Sequence, residues 1–374
     1  MKRTRTYLDW NATAPLRREA RAALVAALDL AGNASSPHSE GRRARAVIED
    51  AREQVAALVG ARPAEVVFTS GGTEANNAVL AGSWKTIALA GVEHDSVLAP
   101  ARRSGAQRVD LPADRDGVID IAALDDRLAG VAGGLLSVQL ANNETGVLQP
   151  VAEAAARAKA RGLSVHTDAV QAAGRVAVDL RALGVDFLTA SAHKLGGPKG
   201  VGALVIREGA SLPAFITGGG QERRRRAGTE NVAAIAAFGA AADAARRDLA
   251  GMEGVRALRD HLEAEVRALS PAAVVIAAGA PRLPNTTCIA LPGASAETLV
   301  IAFDLAGVAI SAGAACSSGK VGASHVLEAM GVEAGLARSA IRVSLGATTT
   351  KADIAAFLAA WTDIAVRRSE RAVA

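Results

Sequence analysis

The sequence predicts an α/β protein: a large domain on a mainly parallel sheet, joined to a smaller α+β domain. Three observations carry this expectation. Short apolar runs alternate with alanine-rich helical patterns over residues 40–250. That rhythm changes beyond about residue 230. The chain has 374 residues, 50% hydrophobic and 21% charged, enough for two domains at roughly 100–200 residues each.

Six runs read as buried strands: residues 66–69, 86–90, 135–141, 163–167, 185–190 and 202–206. Each is short, free of proline and bounded by turn or cap residues. Helical patterns at 44–59, 74–80, 121–128 and 151–160 fall between most of them. Such alternation places helices on both faces of a mainly parallel sheet, whose ligands bind outside the carboxyl ends of the strands. Next comes a long helical stretch, 232–269, whose Gly239, Gly251 and Gly254 allow two helices instead of one. Strands at 273–276, 286–290, 308–311 and 341–344, with helices at 296–305, 324–330 and 351–367, complete the smaller unit. The expected division is 15–250 for the large domain, with 1–14 and 251–374 forming the small one.

Composition excludes several classes of function. Forty-two basic and 38 acidic residues leave a net +4, too thinly spread for a nucleic-acid footprint. Three Trp, one Tyr and six Phe cannot furnish a base-stacking platform. The two cysteines, Cys288 and Cys316, have no CxxC or CxxH spacing, so neither a zinc site nor a disulfide framework is expected. The first residues lack the apolar core of a signal peptide. Residues 232–242 and 272–280, the longest weakly polar stretches, fall short of the roughly 20 needed to span a bilayer. A cytoplasmic protein with reduced thiols is expected, without membrane or nucleic-acid partners.

The chemistry gathers just after strands. Lysine is scarce, and Lys194 follows the 185–190 strand directly, in Ser191-Ala192-His193-Lys194. A lysine fixed at a strand end suits a Schiff base; a solvated loop lysine is equally consistent with that position alone, and Lys199 is its nearby competitor. Asp168 ends the preceding strand, where a carboxylate could keep a pyridinium nitrogen protonated or simply cap a helix. Thr69-Ser70-Gly71-Gly72-Thr73-Glu74 joins a strand to a helix. Its glycines, first-turn amides and Thr73 hydroxyl suit a phosphate, yet it is neither GxGxxG nor a P-loop, which favours a small phosphate-bearing cofactor over a nucleotide. His94 follows the 86–90 strand and could stack on a flat ring or handle protons. Asn142-Asn143-Glu144-Thr145-Gly146 adds amides after the 135–141 strand, although paired asparagines are also ordinary turn formers. Five strand ends thus offer a phosphate cradle, a histidine, amides, a carboxylate and a lysine, in an order that describes a pyridoxal phosphate site.

These motifs resemble the cysteine desulfurases of the class V aminotransferase group, particularly those serving iron–sulfur cluster and nitrogenase assembly. The resemblance runs from Tyr7-Leu8-Asp9-Trp10-Asn11-Ala12-Thr13 to Arg342-Val343-Ser344-Leu345-Gly346 and includes Gly218-Gly219-Gly220-Gln221-Glu222-Arg223 and Gly228-Thr229-Glu230-Asn231. It implies the pyridoxal-phosphate fold type I, with a seven-stranded sheet, as a homodimer. By similarity, Lys194 would carry the cofactor, Asp168 its ring nitrogen, Asn143 and Gln171 its phenolic oxygen, and His94 its ring face. Gly72, Thr73, Ser191 and His193 would bind the phosphate, with Thr229 entering from the other subunit. Arg342 and Asn11 would meet the substrate, L-cysteine. Cys316, in the small-residue run Ala312-Gly313-Ala314-Ala315-Cys316-Ser317-Ser318-Gly319, would take the sulfur as a persulfide. It would then pass it to an iron–sulfur scaffold or other acceptor; transient cluster ligation there by Cys316 is the one metal contact implied. Departures from the family pattern are few: Trp10, Ala34, Ala192, Arg224 and Arg225 replace its usual residues, and none removes a catalytic group. The four arginines 223–226 are expected at a surface or interface. Selenocysteine lyase and class V aminotransferase remain alternatives on the same scaffold, and a non-enzymatic basic binding protein is the alternative of another class.

Overall fold

A computed structural model describes residues 5–313 and 324–373. In chain order, the first half gives β1 (Thr6–Tyr7), α1 (Arg18–Leu28), α2 (Ser39–Leu58), β2 (Val66–Thr69), α3 (Gly72–Leu80), β3 (Thr86–Ala90), α4 (Asp95–Arg103), β4 (Gln107–Leu111), α5 (Ile121–Arg127), β5 (Gly134–Ser137), α6 (Val151–Lys159), β6 (Leu163–Asp168), β7 (Phe187–Ser191) and β8 (Gly202–Ile206). The second half gives α7 (Val232–Asp248), α8 (Met252–Leu269), β9 (Val274–Val275), β10 (Thr286–Ala290), α9 (Ala296–Leu305), β11 (Val308–Ala309), β12 (Ser311–Ala312), α10 (His325–Ala329), α11 (Ala334–Ala337), β13 (Ala340–Ser344) and α12 (Lys351–Val373).

Seven strands form the large sheet in the order β2-β8-β7-β6-β5-β3-β4. Only β8 runs antiparallel to its neighbours. Because β2 and β7 both oppose β8, they point the same way as the rest, and the carboxyl ends of six strands share one edge. Nearly every residue of six of the strands, β2 at one edge included, is buried, as helices on both faces require. The exception is the edge strand β4, largely exposed and polar as Gln-Arg-Val-Asp-Leu, which is why apolar runs did not foretell it. Helices α1 and α4 were likewise not anticipated: α1 buries only Ala20 and Ala27, and α4 carries Pro100 in its interior.

The second sheet is antiparallel, β12-β13-β10-β9, beside a parallel β1–β11 pair. The expected strand 308–311 is therefore two, because the chain changes partners at Ile310, from β1 to β13. The stretch 232–269 is also two elements, parted by a tight turn at Leu249–Gly251. Around the second sheet lies a core drawn from Leu8 and from residues between Met252 and Trp361. Phe303 stacks on Phe357 at 4.8 Å and Trp361 closes the group, its indole N–H donating to Ser270 Oγ at 2.9 Å. Among the described residues, no helix is long and apolar enough to cross a membrane.

Candidate active site

Strands β2, β3, β5, β6 and β7 release the chain into one cavity of about 210 Å³. At the first of these ends the chain enters α3 with Gly71 as cap and no side-chain acceptor for the helix's first amides. Gly72 and Thr73 of this first turn line the cavity, and the helix dipole favours negative charge there. Gly72 is required by close approach: a Cβ there would stand 2.8 Å from Val170 Cγ2. Ser191 and His193 complete this corner of the cavity. His193 Nδ1 lies 3.1 Å from Thr13 Oγ1, and burial, with the Lys194, Lys199 and Arg175 charges adding to it, pushes its pKa down to about 4, so the ring is neutral.

Asp168 closes β6, only 8% exposed. One oxygen accepts the Val170 amide at 2.9 Å, while the other accepts Asn76 Nδ2 at 2.7 Å. Among the described residues no helix begins directly after β6, so Asp168 closes a turn and caps no helix, and it also lines the cavity. Lys194, on the turn after β7, reaches back to the N-terminal segment, where its Nζ donates to the carbonyls of Asn11 and, at 2.9 Å, Ala12. His94 caps α4, with Nδ1 accepting the Ser96 amide at 3.0 Å. That bond assigns the ring proton to Nε2. Burial holds the pKa of His94 below its ordinary value, against the opposing pull of Asp168.

The remaining wall joins distant parts of the chain. Arg342, on β13 and 2% exposed, donates to Asp9 Oδ1 at 2.8 Å and to the Asn143 carbonyl at 3.1 Å. Its Nε is buried and has no partner among the described residues, as suits an arginine still able to receive a carboxylate. Asn11 is fully buried, its amide bonded to Asn143 O, Thr286 and Asn285. Gln171 donates to Asn11 O at 3.1 Å, and its Oε1 accepts from Arg175. Burial lowers the pKa of Arg175 to about 9, with the Arg342 charge adding to the effect.

Of the residues expected from sequence, Asn11, Gly72, Thr73, His94, Asn143, Asp168, Gln171, Ser191, His193, Lys194 and Arg342 line this one cavity. Thr229 is exposed and is not among its lining residues. Cys316 lies outside the described residues. Sequence reading passed over Asn76, Ser96, Gln139, Thr13 and Arg175. Helical spacing could have found Asn76, four residues after Gly72 and hence on the same face; the others are placed by long-range packing.

The family model described as aminotransferase class-V matches residues 6–357. The cysteine desulfurase IscS of Dictyoglomus turgidum is 41% identical over 366 residues, covering 95% of this chain and 92% of that protein. A cysteine desulfurase of Cereibacter sphaeroides is 44% identical over 367 residues, covering 94% and 93% respectively. The crystal structure of a NifS-like protein from Rickettsia africae ESF-5 superposes with a TM-score of 0.89 at 35% identity, covering 96% of this chain and 99% of that one. With these motifs, this cavity and this extent of match, the chain belongs to the class V aminotransferase family.

Proposed function

We propose that this protein is a cysteine desulfurase, converting L-cysteine to L-alanine and holding the released sulfur as a persulfide on Cys316. The observation that carries the reading is the single cavity uniting Lys194, Asp168, His94 and Arg342 with an uncapped helix N-terminus. Identity of 38–44% over nearly the whole chain to proteins named cysteine desulfurase supports the same reaction. So does the same fold in a structure described as SspA in complex with cysteine, at 26% identity and a TM-score of 0.80.

The donor set fits pyridoxal phosphate. The α3 amides, Thr73, Ser191 and His193 would hold the phosphate, Asp168 the ring nitrogen, and Asn143 and Gln171 the phenolic oxygen. The cofactor would supply an electron sink for negative charge at the substrate Cα. Within that frame, Lys194 is the base that takes the Cα proton. His94, neutral and with its proton on Nε2, would lie on the ring face. Arg342 binds the substrate carboxylate, and Asn11 holds the carbonyl wall against which Lys194 rests. The Cys316 thiolate attacks the substrate sulfur and the carbon–sulfur bond breaks. The sulfur stays on Cys316, and the remaining carbon skeleton, once reprotonated, leaves as L-alanine. Thr229 from a second copy would complete the phosphate site of a homodimer. The sulfur would pass to an iron–sulfur scaffold or similar acceptor in the cytoplasm.

The test uses the purified protein loaded with pyridoxal phosphate. Brief exposure to L-cysteine should give alanine and a sulfur adduct on Cys316 by mass spectrometry, while Cys316→Ala binds cofactor and forms no adduct. Lys194→Ala should lose the borohydride-reducible cofactor bond and all turnover. An adduct on Cys288, or on neither cysteine, would overturn the assignment.

A further inference from the structure

Glu144 stands directly after Asn143 in the cavity wall yet takes no part in the site described above. It is buried, 3% exposed, at the end of a loop fixed by the Asn142 side chain, whose Oδ1 accepts from the amides of Glu144 and Thr145. Its Oε2 accepts the Ser324 hydroxyl at 2.6 Å. The same oxygen lies against Gly313: a Cβ built there would meet it at 2.8 Å and would stand 3.9 Å from Ser324 Cβ. Gly313 and Ser324 are thus neighbours in space: Ser324 is bonded to that carboxyl oxygen and Gly313 packs against it, its own amide donating to the Ala340 carbonyl at 3.4 Å. In sequence they are the residues on either side of 314–323, the stretch that contains Cys316.

Both ends are otherwise well placed relative to the site. Gly313 follows β12, where Ser311 pairs in register with Arg342 of β13. Ser324 opens α10, its Oγ capping the Leu327 amide at 3.1 Å. The next residue, His325, lies with Nε2 2.9 Å from the carbonyl of Glu93, the neighbour of His94. In sequence, Cys316 follows Gly313 by three positions.

We propose that Glu144 is a positioning residue for sulfur transfer, fixing Gly313 and Ser324, and with them both ends of the Cys316-bearing stretch, to the wall of the cofactor cavity. The inference rests on the cysteine desulfurase reading. Burial raises the Glu144 pKa to about 7, opposed by its Ser324 bond and by the His325 and Arg342 charges and assisted by Asp95. Cys288, on β10, is a further titratable neighbour. A neutral or an ionised carboxyl can each accept the Ser324 hydroxyl, so the positioning requires an acceptor and not a charge.

The experiment compares the holoenzyme with its Glu144→Ala, Glu144→Gln and Ser324→Ala variants. Two steps are read separately: exchange of the L-cysteine Cα proton with solvent, and persulfide formation on Cys316 by rapid quench and mass spectrometry. Glu144→Ala should slow persulfide formation by about 10–100-fold, the scale expected for misplacing a reactant by about an ångström, while Cα exchange stays within about twofold of wild type. Glu144→Gln should restore most of the rate. Ser324→Ala should reproduce the loss, and the Glu144→Ala/Ser324→Ala pair should be far from additive. Equal loss of both steps, no loss at all, or a Gln variant as slow as Ala would overturn the proposal. Hydrogen exchange of the amides at Gly313, Ser324 and Leu327 provides a readout independent of turnover: it should accelerate in Glu144→Ala and not in Glu144→Gln. If the wild type forms no persulfide, the desulfurase reading fails, and the exchange data still decide whether Glu144 holds these ends.

Discussion

Asn76 offers a direct test of how Asp168 is held. Its Nδ2 donates to Asp168 Oδ2 at 2.7 Å and to Ser96 Oγ at 2.9 Å, while its Oδ1 is buried with no partner among the described residues. Removing the donor in Asn76→Ala leaves Asp168 with the Val170 amide. A hydrogen bond to a charged acceptor contributes about 1.5–3 kcal/mol. If the carboxylate must hold that orientation through the reaction, the loss corresponds to roughly 10–150-fold in kcat/KM at 1.36 kcal/mol per decade. Asn76→Asp is the harsher change, since two carboxylates at that separation cannot both ionise at neutral pH. It should cost more activity than Ala and move the acid limb of the pH profile upward. The assay is alanine release from L-cysteine across the neutral range at saturating pyridoxal phosphate, with cofactor affinity measured in parallel. Asn76→Ala within about twofold of wild type, or an unshifted acid limb in Asn76→Asp, would refute the reasoning.

Asp168→Asn should retain cofactor and lose most turnover, because a neutral amide cannot hold a ring proton in place; near-normal turnover would reduce Asp168 to its bond with Val170. Glu222→Gln removes the anion from a pair whose side chains, Arg52 and Glu222, are each 2% exposed. Urea denaturation should show a loss of about 3–5 kcal/mol, and a loss under about 1 kcal/mol would contradict it. Glu93 is fully buried, and burial, aided by the Asp168 charge, raises its carboxyl pKa well above the ordinary value against the pull of the Gln139 amide. Its favourable contribution is therefore complete below the unfolded-state pKa and declines as pH rises toward the folded one. Glu93→Gln should remove that decline in denaturation experiments across this range, and parallel curves for the two proteins would refute it.

What sequence could reveal followed from local rules. Each of β2, β3, β8, β10 and α9 has the bounds expected for it, since an apolar run between turn residues states its own limits. The candidate site residues Gly72, His94, Asn143, Asp168 and Lys194 were legible for the same reason: each stands at or just after a strand end, and a parallel sheet brings strand ends to one edge. Elements without an apolar signature were not legible, as β4 shows. Nor were contacts between residues far apart in sequence. Asn11, Asn143 and Arg342 meet through bonds spanning 132 and 199 positions, and nothing in the local pattern of any of the three announces the others.

The arginines 223–226 show the same limit from another side. Read alone, four consecutive arginines suggest a solvated or interface run. In the structure, Glu222, Arg223 and Arg224 all adopt left-handed backbone, with φ of 44°, 55° and 63°, a conformation that costs non-glycine residues roughly 1–2 kcal/mol each. The turn persists because Glu222 is seized from two sides: Arg52 donates to both of its oxygens at 2.8 Å, and the Phe68 amide donates at 2.8 Å. Arg223 then reaches the Ala64 carbonyl at 3.1 Å, while Arg226 pairs with Glu74. Glu74 in turn accepts the Ser70 amide at 2.8 Å, one residue before the glycine pair that opens α3. Arg223 and Arg226 are therefore tied to the start of β2 and to the first turn of α3, while Arg223 and Arg224 stay exposed, as expected of a surface run. Charge count could not have distinguished this from a solvated face, because the deciding partners, Arg52, Phe68 and Glu74, lie more than 150 positions away.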